Sequence, residues 1–360
     1  MYDGRVFIIA EAGVNHNGSL DMALELINAA TDAGADAIKF QTFKADKVIS
    51  RFASKAEYQT KNTGSTESQL EMVKKLELNE EQHIMLAEYC WKCGIEFMSS
   101  PFDLDSVDFL TNVVNVSRLK IPSGEITNGL MLLKIARTGK PIILSTGMST
   151  LDEVETALGV LAFGFINSQQ KPSVGAFKEA YSSHEGQSFL KGKVSLLHCT
   201  TEYPAPFEEV NLKAIDTLRD KFGLPVGYSD HTRGIAVSIA AVARGAVIIE
   251  KHFTLDRNLP GPDHKASLEP DELKQMVNSI RQVELVLGNG IKQPTASELK
   301  NMAVARKSLV AIKEIKKGEL FTEDNIGAKR PGNGISSIYY WDVLGKAAPR
   351  DFGIDEMVEL

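Results

Sequence analysis

Short apolar runs rich in β-branched residues alternate with longer amphipathic stretches along most of the chain. The runs predict β-strands at eight places, residues 5–13, 35–43, 95–102, 117–125, 141–147, 194–203, 224–232 and 246–254. The stretches between them carry apolar residues at helical spacing, and several open on a Ser or Asn and end at a Gly. Eight strand–helix repeats over about 250 residues predict an α/β fold, a (β/α)8 TIM barrel. A doubly wound open sheet is the alternative, but no GxGxxG motif follows the first run.

Polar side chains with catalytic potential stand at the ends of these runs. They are Glu11, Lys39, Gln41, Ser99, Ser100, Lys120, Ser123, Glu125, Ser145, His198, Thr200, Ser229, Asp230, His231, Glu250 and His252. In a TIM barrel, the carboxyl ends of all eight strands meet at one mouth, where active sites lie. The pattern therefore predicts a single active site that draws on every strand.

Two lysines, Lys39 and Lys120, lie within apolar strand runs rather than on helix faces. Residues two apart on a strand share a face, which pairs Lys39 with Gln41 and Glu250 with His252. Lysines that surround a buried mouth indicate an anionic ligand such as a phosphate or carboxylate. The alternative is that each lysine extends its ammonium group to the surface, as most lysines do.

His231 and His252 end the seventh and eighth runs, which are neighbours around a barrel. Neutral imidazole is a common metal ligand, and oxygen-rich surroundings favour Mn²⁺ or Mg²⁺. A pair of hydrogen-bonded interior histidines is the alternative. Asp230, in the stretch VGYSDHTRG, either orients a neighbouring side chain or caps the helix after Gly234.

Composition and charge narrow the function. The 360 residues are 43% hydrophobic and 24% charged, with a net charge of −7 that disfavours a nucleic-acid partner. We find neither a secretory signal nor a run of about 20 apolar residues, so we expect no membrane segment and a cytoplasmic location. Cys90 and Cys93 form a lone CxxC, which we interpret as chance, and we interpret Cys199 as a packing residue.

The end of the chain changes character. We predict a catalytic barrel over 1–285, a linker over 286–303 rich in polar residues, and a small β-rich domain over 304–360. The motif KRPGNG places Arg330 in what we expect to be an exposed loop of this last domain.

An ordered set of motifs resembles one family. The motifs are IIAEAGVNHNGS, AIKFQTF, LKIPSGE, ILSTGM, LLHCTTEYPAP, GYSDHT, IEKHFT, GPDHKASLEP and KRPGNG. Together they resemble the sialic acid synthases, which make nonulosonic acids such as N-acetylneuraminate, legionaminate and pseudaminate. The resemblance runs nearly end to end and includes the C-terminal antifreeze-like (SAF) domain.

The resemblance implies a metal-dependent condensation of phosphoenolpyruvate with an open-chain N-acetylated hexose, with release of phosphate by C–O cleavage. It implies that His231 and His252 hold the metal, Mn²⁺ first, with Mg²⁺ or Co²⁺ as alternatives. The ion would polarise the sugar aldehyde. Glu11 would position or deprotonate the attacking water.

The resemblance also assigns the residues that hold the two substrates. The phosphoenolpyruvate site would consist of Lys39, Ser100, Lys120, Ser123, Ser145 and Ser229. The sugar site would consist of Gln41, Glu125, Tyr203, Asp263 and Arg330. In the family, the SAF-domain arginine reaches the site of the other subunit, so the resemblance implies a domain-swapped homodimer.

Some stretches bear on the choice of sugar. Thr201 stands where a sialic acid enzyme has asparagine, and the segments after the second strand and within 160–193 are long. The second and fifth connections are therefore candidates to shape the sugar pocket. The stretch after the second strand resembles the legionaminate branch, which favours 2,4-diacetamido-2,4,6-trideoxymannose as acceptor and N,N′-diacetyllegionaminate as product. N-acetylmannosamine, giving N-acetylneuraminate, is the alternative.

Two other functions compete with this one. A 3-deoxy-sugar phosphate synthase shares barrel and mechanism but would need additional arginines for a phosphorylated sugar. A non-catalytic sugar-binding or ice-binding protein would not need the lysines and the metal-type histidines.

Overall fold

The structure, a computed structural model, describes residues 4–64, 66–167 and 169–360. It divides into two compact units, Met1–Gly288 and Asn289–Leu360, which are described separately below. The first three residues of the predicted domain 1–285, and Ser168 in the segment 160–193, lie outside the described residues.

The first unit is built on an eight-stranded sheet in which all the paired strands are parallel. The strands are β1 (Phe7–Gly13), β2 (Ala37–Thr42), β3 (Glu96–Pro101), β4 (Leu119–Ile121), β5 (Ile142–Ser145), β6 (Val194–Cys199), β7 (Val226–Asp230) and β8 (Ile248–His252). They are hydrogen-bonded in the order β3-β2-β1-β8-β7-β6-β5-β4.

The sheet curls into a barrel. The pairing of β1 with β8 joins the start and end of the strand series, and β3 and β4 lie against each other at the remaining seam. Apolar side chains that include Ile9, Met98 and Leu197 fill the barrel interior. A larger core lies between the outside of the barrel and the surrounding helices. The predicted TIM barrel is confirmed.

Helices of the first unit follow the strands, with the long ones packed on the outside of the barrel. They are α1 (Leu20–Ala33), α2 (Ala45–Val48), α3 (Glu57–Thr63), α4 (Gln69–Lys74), α5 (Glu80–Cys93), α6 (Leu104–Asp108), α7 (Gly129–Arg137), α8 (Leu151–Ile166), α9 (Val174–Ser182), α10 (His184–Lys193), α11 (Ala214–Phe222), α12 (Ala236–Ala243) and α13 (Pro270–Leu287).

Caps visible in the sequence set several helix ends. The Ser19 hydroxyl accepts from the backbone N–H of Met22 at the start of α1. Gly34 ends the same helix in the left-handed region, at φ 80°, where a residue without Cβ avoids strain. Asn79 and Gly94 play the same roles for α5.

The two long connections differ in what they do. The one after β2 forms the short helices α2, α3 and α4 at the mouth of the barrel. The fifth forms α9 and α10, which pack on α8 outside the barrel. No described residue of 160–193 lines the barrel-mouth cavity, whereas residues of all three short helices after β2 do.

The second unit is small and has its own core. Strands β9 (Ser308–Ala311) and β10 (Ile326–Lys329) pair antiparallel, and α14 (Ala296–Ala305) and α15 (Tyr340–Val343) complete its helices. Leu309, Phe321 and Phe352 are among the residues that form the core. The boundary between the units falls inside the predicted linker 286–303. Much of that linker is helical, because Thr295 caps α14 in a capping box with Glu298.

Among the described residues, the structure contains no helix that is both long and apolar enough to cross a membrane.

Candidate active site

A cavity of about 550 Å³ opens at the carboxyl end of the barrel strands. It gathers nearly all the site residues that the sequence predicts in the first unit. Those that line it are Glu11, Lys39, Gln41, Ser100, Lys120, Ser123, Ser145, Tyr203, Ser229, His231, Glu250, His252 and Asp263, whereas Ser99, His198 and Thr200 do not. Glu125 does not line it; its carboxylate accepts from the Nδ2 group of Asn128 at 2.7 Å.

Four buried charged side chains form the floor of the cavity. Lys39 Nζ lies 2.5 Å from Glu11 Oε2 and 3.5 Å from Glu250 Oε2. Lys120 Nζ lies 3.3 Å from the other oxygen of Glu250. All four side chains are at most 5% exposed, so the interior holds two ammonium groups against two carboxylates.

Burial and neighbouring charges give the two carboxylates different pKa values. Burial raises the pKa of Glu11 to about 7, although Lys39 acts in the opposite direction. Burial also acts to raise the pKa of Glu250, but Lys120, Lys39 and a hydrogen bond from Ser229 outweigh it and lower this pKa to about 2. Two carboxylates with separated pKa values are typical of acid–base chemistry, in which one group stays ionised and the other exchanges a proton near neutral pH.

Hydroxyl groups surround this floor. Lys39 Nζ donates to Ser100 Oγ at 3.2 Å, and Ser229 Oγ donates to Glu250 Oε1 at 2.8 Å. Ser123 Oγ accepts from the backbone N–H of Gly147 at 3.0 Å. Ser145 Oγ is buried and has no hydrogen-bond partner among the described residues, so its hydroxyl is available to a ligand.

The two histidines face each other across the end of the seventh and eighth strands, with ring centroids 5.5 Å apart. His231 Nδ1 lies 2.7 Å from the carbonyl oxygen of Thr200, which can only accept, so Nδ1 carries the proton and Nε2 keeps its lone pair. His252 Nδ1 is buried without a hydrogen-bond partner among the described residues. Burial lowers the pKa of His231 to about 4 and that of His252 well below its ordinary value, so both rings are neutral near pH 7.

The described residues offer few side chains beside the two histidines that could bind a metal ion. Among the described residues, no group of three or more His, Cys, Asp or Glu side chains is arranged to hold a metal ion. An ion at His231 and His252 would have two imidazole ligands and would need oxygen atoms from water or substrate.

Aromatic rings and one carboxyl group form the side of the cavity next to the histidines. The Tyr203 ring lies 4.2 Å from the His231 ring and 5.1 Å from the Tyr58 ring, measured between centroids. Burial raises the pKa of Asp263 to about 6. The pKa of Tyr203 is raised well above its ordinary value, also mainly by burial, so its hydroxyl remains a donor.

Asp230 points away from the cavity. Its carboxylate pairs with Lys251 Nζ at 3.1 Å, and neither side chain has exposed surface. It accepts from the backbone N–H of Thr232 at 2.8 Å and from the hydroxyl of Ser238, in α12, at 2.6 Å. Each member of the ion pair directly precedes one of the two histidines. Asp230 therefore orients neighbouring groups, including the Ser238 hydroxyl in the first turn of α12, but does not cap the backbone of that helix. Its ion pair with Lys251 joins the two strand ends that carry the histidines behind the cavity.

The sequence reasoning missed part of the cavity wall. Tyr58, Gln59, Gln69 and Met72, from the connection after β2, all line it. The length of that connection was the signal for such a wall. Cys199, interpreted as a packing residue, also lines the cavity, and its Sγ lies 3.0 Å from Ser123 Oγ.

Arg330 belongs to the second unit. There its side chain is exposed, and its Nε group donates to the carbonyl oxygen of Ala305 at 3.1 Å. Its predicted contact with the sugar of another subunit stays a prediction.

The chain resembles known proteins over nearly its whole length. It matches the NeuB family over residues 26–292 and the SAF domain over residues 306–359. It is 54% identical to the N,N′-diacetyllegionaminic acid synthase of Campylobacter jejuni, over 98% of this chain and 99% of that protein. It is 48% identical to the protein of the same name from Legionella pneumophila, over 94% of this chain and 89% of that protein.

A solved structure agrees with the fold. The N-acetylneuraminic acid (sialic acid) synthetase of Leptospira borgpetersenii, in complex with citrate, has a TM-score of 0.66 and 36% identity, covering 83% of this chain and 90% of that chain. The predicted resemblance to the sialic acid synthases and the predicted SAF domain are confirmed. Because the family match, the relatives that align over nearly the whole chain and the barrel-mouth site all agree, the chain belongs to the NeuB family.

Proposed function

We propose that this chain is a nonulosonic acid synthase, which condenses phosphoenolpyruvate with an open-chain N-acetylated hexose and releases phosphate. We propose 2,4-diacetamido-2,4,6-trideoxymannose as the acceptor and N,N′-diacetyllegionaminate as the product. Two related proteins of that name, at 54% and 48% identity, support this choice of sugar. The observation that supports the reaction is that one cavity is lined by two buried lysines, two carboxylates with different pKa values and two neutral histidines.

Phosphoenolpyruvate would bind at the floor. Its phosphate and carboxylate would replace part of the pairing that Lys39 and Lys120 now make with Glu11 and Glu250. Charge-assisted hydrogen bonds from ammonium groups are stronger than neutral ones, and low dielectric strengthens them further. The free hydroxyl of Ser145 would donate to an oxygen of the same ligand.

The reaction then needs one carbon–carbon bond and one water. The electron pair of the enol double bond forms a bond from C3 of phosphoenolpyruvate to the aldehyde carbon, whose oxygen takes up a proton and becomes a hydroxyl. This leaves a cationic centre at C2, to which water adds. Glu11, with a pKa of about 7, would take the proton of that water. The hydroxyl that water has placed on C2 then gives its proton to the departing phosphate as the C2–O bond to phosphate breaks, and a carbonyl forms at C2.

We further propose a divalent metal, Mn²⁺ first, bound by His231 and His252. When bound, such an ion polarises the aldehyde oxygen as a Lewis acid. The residues fit it, because both rings are neutral, His231 keeps a lone pair on Nε2, and His252 Nδ1 is buried without a partner among the described residues. Thr200 orients the His231 ring through its carbonyl oxygen, as outer partners of metal-binding histidines do.

The sugar would lie against Tyr203 and Asp263, above the histidines, with Gln41 as a further predicted contact. Glu125, also predicted from the sequence, does not line the cavity. We propose that Arg330 reaches the sugar in the site of a second subunit, which would make the enzyme a domain-swapped homodimer. Its exposed guanidinium group supports such a role. The predicted cytoplasmic location remains a prediction.

Phosphate release from phosphoenolpyruvate tests the reaction directly. Each candidate acceptor is supplied with Mn²⁺ and, separately, after removal of metal with a chelator. We expect metal-dependent release, faster with 2,4-diacetamido-2,4,6-trideoxymannose than with N-acetylmannosamine. Release with neither acceptor would refute the proposed function, and equal release without metal would refute the role of the ion.

Variants locate the metal. We expect His231→Ala and His252→Ala to abolish turnover and to remove Mn²⁺ binding in calorimetric titrations. His184→Ala, an exposed histidine at the start of α10, is the matched control and should behave as the unaltered enzyme. Near-normal turnover in both cavity variants would show that the metal assignment is wrong.

A further inference from the structure

The cavity has two chemically different walls. The barrel strands supply the charged floor, whereas the connection after β2, together with the residues that follow β1 and β3, supplies an apolar wall. A small apolar cluster, separate from the barrel core, forms this wall, and every member also lines the cavity. Its members are Val14, Phe43, Val73, Leu76 and Phe102.

Amide groups stand within the same connection. Gln59 and Gln69 both line the cavity, and Gln69 Nε2 donates to Gln59 Oε1 at 3.3 Å. Gln59 Oε1 also accepts from the backbone N–H of Ala56 at 3.0 Å, which fixes its orientation. Both glutamine side chains are half-buried. The connection therefore presents hydrogen-bonding amides and apolar side chains to one cavity.

An acetamido group has the same combination of properties, a planar amide that ends in a methyl group. A hydroxyl group at this place would leave the apolar wall without a partner and would gain only a hydrogen bond that water already offers. The acceptor in the proposed function carries two acetamido groups, on C2 beside the reacting carbon and on C4. N-acetylmannosamine carries a hydroxyl on C4.

We propose that the wall formed by α3, α4 and the apolar cluster is the subsite for the C4 acetamido group. This inference rests on the proposed function and specifies how that site selects its sugar. The amide of the substituent pairs with Gln59 and Gln69, and its methyl group packs on Val73 and its neighbours. The connection after β2 thus discriminates acceptors with two acetamido groups from those with one.

Three acceptors separate the contributions of the substituents. The first is 2,4-diacetamido-2,4,6-trideoxymannose. The second, 2-acetamido-2,6-dideoxymannose, lacks only the C4 acetamido group. The third, N-acetylmannosamine, also has a hydroxyl on C6. We expect kcat/KM to fall at least tenfold from the first acceptor to the second, within the range known for one small apolar group, and to change less from the second to the third. A larger fall between the second and third would assign the wall to the C6 methyl group and overturn the inference.

Two variants test the residues. Val73→Thr keeps the shape of the side chain and replaces a methyl with a hydroxyl, and Gln69→Met keeps the length and removes the amide. We expect each to lower the preference for the first acceptor over the second by about fivefold, with the KM for phosphoenolpyruvate unchanged. Val114→Thr is the matched control, because Val114 is half-buried on the barrel core and does not line the cavity.

The outcomes distinguish a failure of the proposed function from a failure of the proposed subsite. If the unaltered enzyme uses none of the acceptors, the proposed function fails. If it uses the diacetamido sugar but both variants keep the preference, the subsite assignment fails and the proposed function stands. A reduced preference in both variants, with Val114→Thr unchanged, supports the assignment.

Discussion

The ion pair of Asp230 and Lys251 offers a sharp test of the physical reasoning. The two groups lie 3.1 Å apart and neither side chain is exposed, so water screens neither charge. Lys251→Met keeps most of the volume and apolar length of the side chain and removes the ammonium group. Asp230 then remains buried with hydrogen-bond donors from Thr232 and Ser238 but without its counter-charge.

The magnitude follows from the distance. At 3.1 Å and an effective dielectric constant of about 20, two unit charges attract each other by roughly 5 kcal/mol. Removal of one partner of a buried pair costs about 3–5 kcal/mol, because the remaining charge stays desolvated. We therefore expect Lys251→Met, and also Asp230→Asn, to lower the free energy of unfolding by about 3–5 kcal/mol. The double variant should lose less than the sum of the two single losses, by at least about 2 kcal/mol, since it leaves no unpaired charge.

Urea denaturation followed by far-ultraviolet circular dichroism measures these free energies. Most helices belong to the first unit, so the helical signal reports mainly on the barrel. The slope of the free energy against urea should match that of the unaltered chain, which shows that the same surface unfolds. If Lys251→Met costs less than about 1 kcal/mol, or if the two single losses simply add in the double variant, the account of the ion pair is wrong.

Three further predictions concern the barrel, the pH dependence and the second unit. In Gly227→Ala the added Cβ would lie 2.4 Å from the carbonyl oxygen of Ile248, a backbone atom that cannot move aside, so we expect little soluble, folded protein. A thermal midpoint like that of the unaltered chain would contradict this. Asp263 binds its proton more tightly in the folded chain, with a pKa of about 6 against the ordinary 3.8, so its contribution to stability falls as the pH rises through that window. The free energy of unfolding of Asp263→Asn, relative to that of the unaltered chain, should therefore rise by roughly 3 kcal/mol between about pH 4 and pH 7. Urea denaturation at both pH values measures it, and the same difference at both would refute the prediction. Arg330→Ala should raise the KM for the sugar but not for phosphoenolpyruvate, and mixing it with His231→Ala at low sugar should restore activity; an unchanged sugar KM would end the proposed role of Arg330.

Local patterns predicted the barrel and most of its site. Short apolar runs and caps such as Ser19 and Gly34 depend on near neighbours only, so the sequence displays them directly. The placement of Lys39, Lys120 and His252 in one cavity also followed, because the carboxyl ends of parallel barrel strands meet at one mouth.

Other features of the site needed the tertiary structure. Which carboxylate is protonated near neutral pH depends on distances between side chains from different strands, and the sequence does not contain those distances. Glu250 lies near both lysines and has a low pKa, whereas Glu11 is raised to about 7.

The sequence by itself determined the repeat of strands and helices, the residues at the strand ends and the family of the chain. Only the tertiary structure decided that Asp230 pairs with Lys251, that the connection after β2 forms a wall of the cavity, and that the described residues of 160–193 do not. The physical reason is the range of the interactions. Apolar runs, helical spacing and helix caps involve residues a few positions apart in the sequence. Ion pairs, desolvation and cavity walls arise where distant segments pack together.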